Sequence, residues 1–238
     1  MRQLRRLIKR EDGLTLIELL VAMILLGILL SVVAGLYTSA LRAVTLARGQ
    51  TGNTKIASTI MNEAARVIRA GTENPLTPPA TNAPAFVSAT NDDILLYAYI
   101  NLTSSAQLPQ LIRLRVDRAT GNFVESRWPA TAVTGGRWTF PANPCVTTGV
   151  PSGCTAPTSR VTLGAAIPAS HTKVFQYFGK DGAAIAVPTT GLTAADRALV
   201  ASVKVTIVIQ PTLTDASNPV TLENQIGMPN LGFAEENP

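Results

Sequence analysis

Residues 13–36 read Gly-Leu-Thr-Leu-Ile-Glu-Leu-Leu-Val-Ala-Met-Ile-Leu-Leu-Gly-Ile-Leu-Leu-Ser-Val-Val-Ala-Gly-Leu, an apolar run that carries one charge, Glu18. A carboxylate on a membrane-length helix costs roughly 2.5 to 3.5 kcal/mol at the bilayer centre on insertion scales, so a chain that keeps one there needs a partner for it. The candidate partner is an amine made by cutting between Gly13 and Leu14. From Leu14 to Leu41 no other charge intrudes. At about 1.5 Å per residue, such a helix crosses a hydrocarbon core of about 30 Å.

The segment before the junction, residues 1–13, holds Arg2, Arg5, Arg6, Lys9 and Arg10 against Glu11 and Asp12. Five basic residues directly before a hydrophobic span are expected to keep that end in the cytoplasm and to place the rest of the chain outside. A secretory signal also starts basic, but its cut follows the apolar region, which usually runs about 7 to 15 residues. Here the run is longer and the junction precedes it, so the helix is expected to stay in the mature protein.

Gly13-Leu14-Thr15-Leu16-Ile17-Glu18-Leu19-Leu20-Val21-Ala22 resembles the cleavage and methylation signature of type IV prepilins and type II secretion pseudopilins. The resemblance implies a prepilin peptidase that cuts after Gly13 and methylates the new amine of Leu14. It implies a helix that is first a membrane anchor among lipids and later a filament core. It also implies assembly with other major and minor pilins or pseudopilins on an inner-membrane platform. One position departs from the pattern: many family members begin with phenylalanine, and this chain would begin with leucine, which leaves the degree of methylation open.

Leu14 and Glu18 are four residues apart and share a helix face, and a free amine with a pKa near 7.7 to 8.0 is mostly cationic at neutral pH. The pair can therefore neutralise itself in lipid. In a filament the resemblance implies that Glu18 meets the amine of a neighbouring subunit, where a low effective dielectric strengthens the attraction. The simpler alternative is a membrane-edge glutamate satisfied by the first-turn N–H groups and the helix dipole, but that explains neither Gly13 nor the leader.

The whole chain carries +5, from 20 basic and 15 acidic residues; without the leader 15 basic residues face 13 acidic ones, or +2. The basic balance is mostly a leader property. No Lys/Arg run with interleaved aromatics remains, so composition indicates no dedicated nucleic-acid surface. Scattered arginines are expected to be solvated or paired.

Beyond the span, Ile56, Ile60, Met61, Ala64, Val67 and Ile68 recur at three- and four-residue intervals among polar residues, the pattern of a helix packing on something. Gly49 and Gly52 weaken the stretch between, at about 1 kcal/mol each relative to alanine, and mark a place for a bend or melting. Gly71 with Pro75, Pro78 and Pro79 stops the helix. The expected organisation is a leader at 1–13, a transmembrane helix at 14–41, its amphipathic continuation at 42–71 and an extracytoplasmic head at 72–238.

The head is long enough for one domain with a real core and reads as mostly β. Strands are expected at Asp93 to Leu102, in a hairpin from Leu111 to Trp128 turning at residues 118–122, at Lys173 to Phe178 with a turn at residues 179–182, and at Val200 to Gln210. The Thr/Pro/Gly/Ala-rich stretches between them read as surface loops, and Gly232 to Pro238 as a frayed end. The expected fold is α+β and pilin-like, with a long N-terminal helix packed on a mainly antiparallel sheet. The order of helix, hairpin, Phe175-Gln176-Tyr177-Phe178 with its glycine turn, and Ala201-Ser202-Val203-Lys204-Val205-Thr206-Ile207 resembles minor pilins of the W class and J-type pseudopilins. That resemblance implies a subunit that helps to initiate or cap a filament. One tip class lacks the fifth-position glutamate, so Glu18 argues against that class.

Cys145 and Cys154 are the only cysteines, and in an exported domain two this close are expected to form a disulfide that pins their loop. A metal site is not indicated: zinc wants four ligands, or three and water, and the single histidine, His171, has no cysteine nearby. No cofactor motif appears. Ser170-His171 is a sequence neighbour pair rather than a triad, and a lone loop histidine is expected to be exposed. Gly179-Lys180-Asp181 lacks the spacing and hydroxyl of a phosphate loop. Asp92-Asp93 read as residues leading into a strand. Asn101-Leu102-Thr103 fits a glycosylation acceptor pattern that also arises by chance. The sequence thus argues for a processed, membrane-anchored assembly subunit without catalysis. A single-pass anchored binding or adhesion protein that keeps its leader is the alternative, and an anchored hydrolase a weaker third.

Overall fold

The computed structural model describes residues 15–76, 82–100, 108–133, 137–146, 153–210 and 219–231. The chain divides into two compact units, Met1–Arg48 and Gly49–Pro238. One helix, α1 (Leu16–Arg69), supplies the described residues of the first unit from Leu16 onward and the opening of the second. Helical geometry runs through Gly49 and Gly52 without a break. Propensity lowers the stability of this stretch but does not end it.

Within the second unit the strands are β1 (Phe86–Ala89), β2 (Asp93–Ala98), β3 (Gln110–Asp117), β4 (Asn122–Pro129), β5 (Thr131–Val133), β6 (Arg137–Thr139), β7 (Ser159–Gly164), β8 (Phe175–Phe178), β9 (Ala184–Ile185), β10 (Ser202–Ile209) and β11 (Val220–Gly227), with a short helix α2 (Ala194–Leu199). A five-stranded sheet has the order β1-β2-β3-β4-β7, a four-stranded sheet the order β11-β10-β8-β9, and β5 pairs with β6. Every pairing between these strands is antiparallel. The architecture is α+β, a long apolar helix with antiparallel sheets.

The β3–β4 hairpin stands where the alternation placed it, with Val116 opposite Phe123 and Asp117 opposite Asn122. The β2 strand ends at Ala98 rather than Leu102, because the Tyr99 amide bonds Ala70 O at 3.1 Å, at the end of α1. The strand expected from Lys173 begins at Phe175, after the Val174 and Phe175 amides have both bonded Asn91 O. In β10, Val203, Val205, Ile207 and Ile209 share the buried face, as their spacing requires. Elements β1, β7, β11 and α2 lie in stretches that read as loops. Residues Asn101 to Thr103, with the acceptor pattern, and Gly232 to Pro238 lie outside the described residues.

The last turns of α1 bury Ala57, Ile60, Met61, Ala64, Ala65, Val67 and Ile68 in a core shared with both larger sheets. Phe86 meets Tyr177 edge-on at 5.8 Å and Phe123 meets Phe175 at 6.2 Å, so aromatic pairs stitch the five-stranded sheet to β8. Small residues let the helix come close. A Cβ on Gly164, at the end of β7, would sit 2.6 Å from Ile56 Cγ2 and 2.7 Å from Ile60 Cδ1.

An ion cluster sits at the same interface. Glu63 accepts from Arg66 at 2.5 Å and from Arg127 at 3.2 Å, and Arg127 also donates to Glu125, which is only 2 % exposed. Burial pushes the Glu125 carboxyl up and its hydrogen bond with Glu63 adds to this, against the pull of Arg127. Burial also works to raise Glu63, but hydrogen bonds with Arg66 and Glu125 and the charges of Arg66 and Arg127 hold it below the usual carboxylate range.

Candidate processing and assembly segment

Thr15 is the first described residue, so the junction itself, Gly13 and Leu14, lies outside the described residues. Thr15 stands just before α1. Its hydroxyl accepts from the Glu18 amide and donates to Glu18 Oε2, each at 3.4 Å, while the Glu18 and Leu19 amides also reach Thr15 O at 3.0 and 3.2 Å. Thr-x-x-Glu is the spacing of a capping box, in which the hydroxyl covers an N–H that the helix cannot pair internally. Glu18 in turn sits where the positive end of the helix dipole favours a carboxylate. Thr15 is a partner of Glu18 that the apolar pattern alone does not reveal, although the Thr-x-x-Glu spacing could have shown it.

Along the rest of the run every side chain from Leu16 to Leu46 is exposed within its own unit, among them Ile24, Leu29, Val33 and Leu36. A water-facing stripe of that length would carry a heavy hydrophobic penalty, whereas lipid or neighbouring apolar helices remove it. Three of its hydroxyls bond back to the helix: Ser31 donates to Ile28 O at 2.7 Å, Thr38 to Gly35 O at 2.9 Å and Thr45 to Arg42 O at 2.8 Å. This is what a helix in hydrocarbon requires, since no water is there to take a free polar group. Arg42 and Arg48 close the apolar zone. Among the described residues α1 is the helix long and apolar enough to cross a membrane.

Residues 8–34 match the family model of the prokaryotic N-terminal methylation motif. The amino-terminal segment is of the type IV pilin-like and pseudopilin kind. A search of curated proteins found no match to the chain. The pilin-type motif implies processing by a prepilin peptidase and assembly with other pilins, and together with α1 it supports a single-pass, membrane-anchored protein. It points to a structural subunit rather than an enzyme.

The residues singled out in the head take structural positions. Cys145 and Cys154 form a disulfide with their Cα atoms 5.0 Å apart. Residues 144–146, beside the bridge, are tied to the outer face of the five-stranded sheet: Arg113 donates to Pro144 O, Arg160 to Cys145 O and Arg115 to Val146 O, at 3.3 to 3.4 Å. Trp128 Nε1 bonds Thr155 O at 3.0 Å beside a small apolar cluster with Leu95 and Leu111. These arginines are not scattered. Alternation puts Arg113 and Arg115 on one face of β3, and the pairing of Ser126 with both Arg113 and Arg160 completes the group.

Asp92 and Asp93 each hold their own arginine, Asp92 with Arg118 at 2.8 Å and Asp93 with Arg113 at 2.9 Å, and Asp93 opens β2. His171 is half-buried rather than exposed, because its Nε2 lies 2.8 Å from Thr206 O on β10. Gly179 to Gly182 form the tight β8–β9 turn, in which Asp181 accepts from the Ala183 amide.

Proposed function

We propose that the protein is a minor pilin or pseudopilin, a structural subunit that helps to initiate or cap a type IV pilus or a type II secretion pseudopilus. Prepilin peptidase cuts between Gly13 and Leu14, residues 14–41 anchor the product in the membrane, 42–71 continue the helix, and the head of 72–238 works outside. The function is polymerisation rather than chemistry. One observation carries the reading: a lone carboxylate, Glu18, stands at the fifth position after Gly13 on a helix whose apolar surface is uncovered for its whole membrane-length stretch. In the filament Glu18 meets the amine of Leu14 of a neighbouring subunit, the strong form of a charge pair in a medium of low dielectric.

Mass spectrometry of the amino terminus from native membranes tests this. The wild-type chain begins at Leu14, and Gly13→Trp remains full length; normal trimming of that variant removes the reading. Glu18→Ala is trimmed and inserted but poorly recovered in sheared filaments, and wild-type recovery sinks the intersubunit pair.

The contact between Thr15 and Glu18 favours a second reading, an anchored binding or adhesion protein in which the glutamate is satisfied within its own first turn. An intact amino terminus and no filament partner distinguish it.

A further inference from the structure

Arg113, Arg115 and Arg160, with Asp117, Val124, Ser126 and Val146, line a cavity of about 150 Å3 on the outer face of the five-stranded sheet, next to the disulfide. Three guanidinium groups and one carboxylate therefore line a volume with room for several waters. Burial, and then the charges of Arg113 and Arg115, pull Arg160 below its ordinary pKa, so the cations repel one another. Part of that repulsion is absorbed. Asp93 pairs with Arg113, while Ser126 Oγ and the carbonyls of residues 144–146 accept from the cluster.

A guanidinium offers five N–H donors in a planar fork, more than the contacts of Arg113 and Arg115 just described take up. Such forks match the oxygens of a carboxylate or phosphate group, and a partly enclosed site strengthens the attraction relative to open water. Asp117 accepts from the Ala119 amide at 3.0 Å and stays charged, its carboxyl held low by the turn amides and hydroxyl around it. The lining thus keeps a net positive charge.

We propose that this cavity is an oxyanion site that takes the carboxylate or phosphate group of a small molecule. The site lies in the second unit and does not depend on the assembly role of the amino terminus.

The test is a calorimetric titration of the full chain in neutral detergent with acetate and, separately, with inorganic phosphate, at ionic strength fixed by chloride. Saturable binding of either ion is expected, and the tighter of the two identifies the preferred group. Arg115→Gln weakens it about tenfold or more, as loss of a charge-assisted fork does. Arg115→Lys, which keeps the charge but not the fork, falls between, and Arg118→Gln, whose side chain is engaged by Asp92 outside the cavity, binds as the wild type does. Absence of saturation for both ions overturns the proposal. So does binding that survives both Arg115→Gln and Arg160→Gln in variants whose near-ultraviolet circular dichroism is unchanged.

Discussion

Arg127 on β4 reaches Glu63 on α1 at 3.2 Å, which fastens the packed end of the helix to the five-stranded sheet by charge as well as by apolar contact. The same guanidinium is the cation beside Glu125, which is almost fully buried. Replacing Arg127 by leucine leaves that carboxylate uncompensated and is expected to lower stability by about 3 kcal/mol. The double variant Arg127→Leu with Glu125→Leu should recover most of the loss, because it removes the stranded charge together with its partner. Urea unfolding of both variants decides this.

Gly164 lets α1 come down on the end of β7. Valine there meets Ile56 Cγ2, which a β-branched side chain moves only with difficulty, and Ile60. Overpacking of this kind costs about 1 to 3 kcal/mol, and the loss should appear as a lower unfolding midpoint with an unchanged denaturant slope.

Tyr177 is wholly buried, donates to Thr90 O at 2.6 Å, and has its phenol raised well above the ordinary value by burial and by the charges of Asp93 and Asp92. The folded chain keeps this proton at a pH where the unfolded chain gives it up. Stability therefore falls as pH climbs past about 10, the ordinary phenol pKa. Tyr177→Phe should lose about 1 kcal/mol at neutral pH through the missing hydrogen bond yet show a shallower alkaline decline. Parallel denaturation series at neutral and alkaline pH compare the two slopes.

The disulfide closes a short loop, Cys145 to Cys154. Replacing both cysteines by serine is expected to lower stability by about 2 to 3 kcal/mol. It should also speed amide exchange at Cys145 and Thr155, whose backbone bonds lie beside the bridge. Protection equal to the wild type at those two amides would show that the arginine contacts hold the segment without it.

Thr15→Ala removes the hydroxyl that covers the Glu18 amide. The expected loss is about 1 kcal/mol, confined to the first turn of α1, with faster exchange of the Glu18 amide in micelles. Incorporation into filaments should persist. Loss of incorporation as severe as that of Glu18→Ala would make Thr15, and not a terminal amine, the decisive partner of Glu18.

The legible parts of this fold are those where one periodicity runs long enough to dominate. The stripe from Ile56 to Ile68 and the alternations in β3, β4 and β10 each face a single core, so a period of 3.6 or 2 states the burial directly. Strand β11 was readable on the same ground, since Leu222, Asn224 and Ile226 alternate with exposed Thr221, Glu223 and Gln225, yet its polar inward residues blur the signal. α2 is too short for a period, and its one sequence mark is the capping box of Thr193 and Asp196. The cavity arginines were half visible. Arg113 and Arg115 alternate within one strand, but Arg160 joins them through its β4–β7 pairing with Ser126, a contact 34 residues distant that no local pattern encodes.

The hydroxyls of Ser31 and Thr38 turn back onto their own helix. Between Leu19 and Leu36 a second helix sliding along this surface therefore meets hydrocarbon with no intermediate polar notch to stop at. In the proposed filament, axial offset between neighbours would be read at Glu18, and a slip of one turn would strand that mark in oil. Such a surface tolerates many partners in cross-section while fixing the step between them, as a ruler with one graduation would.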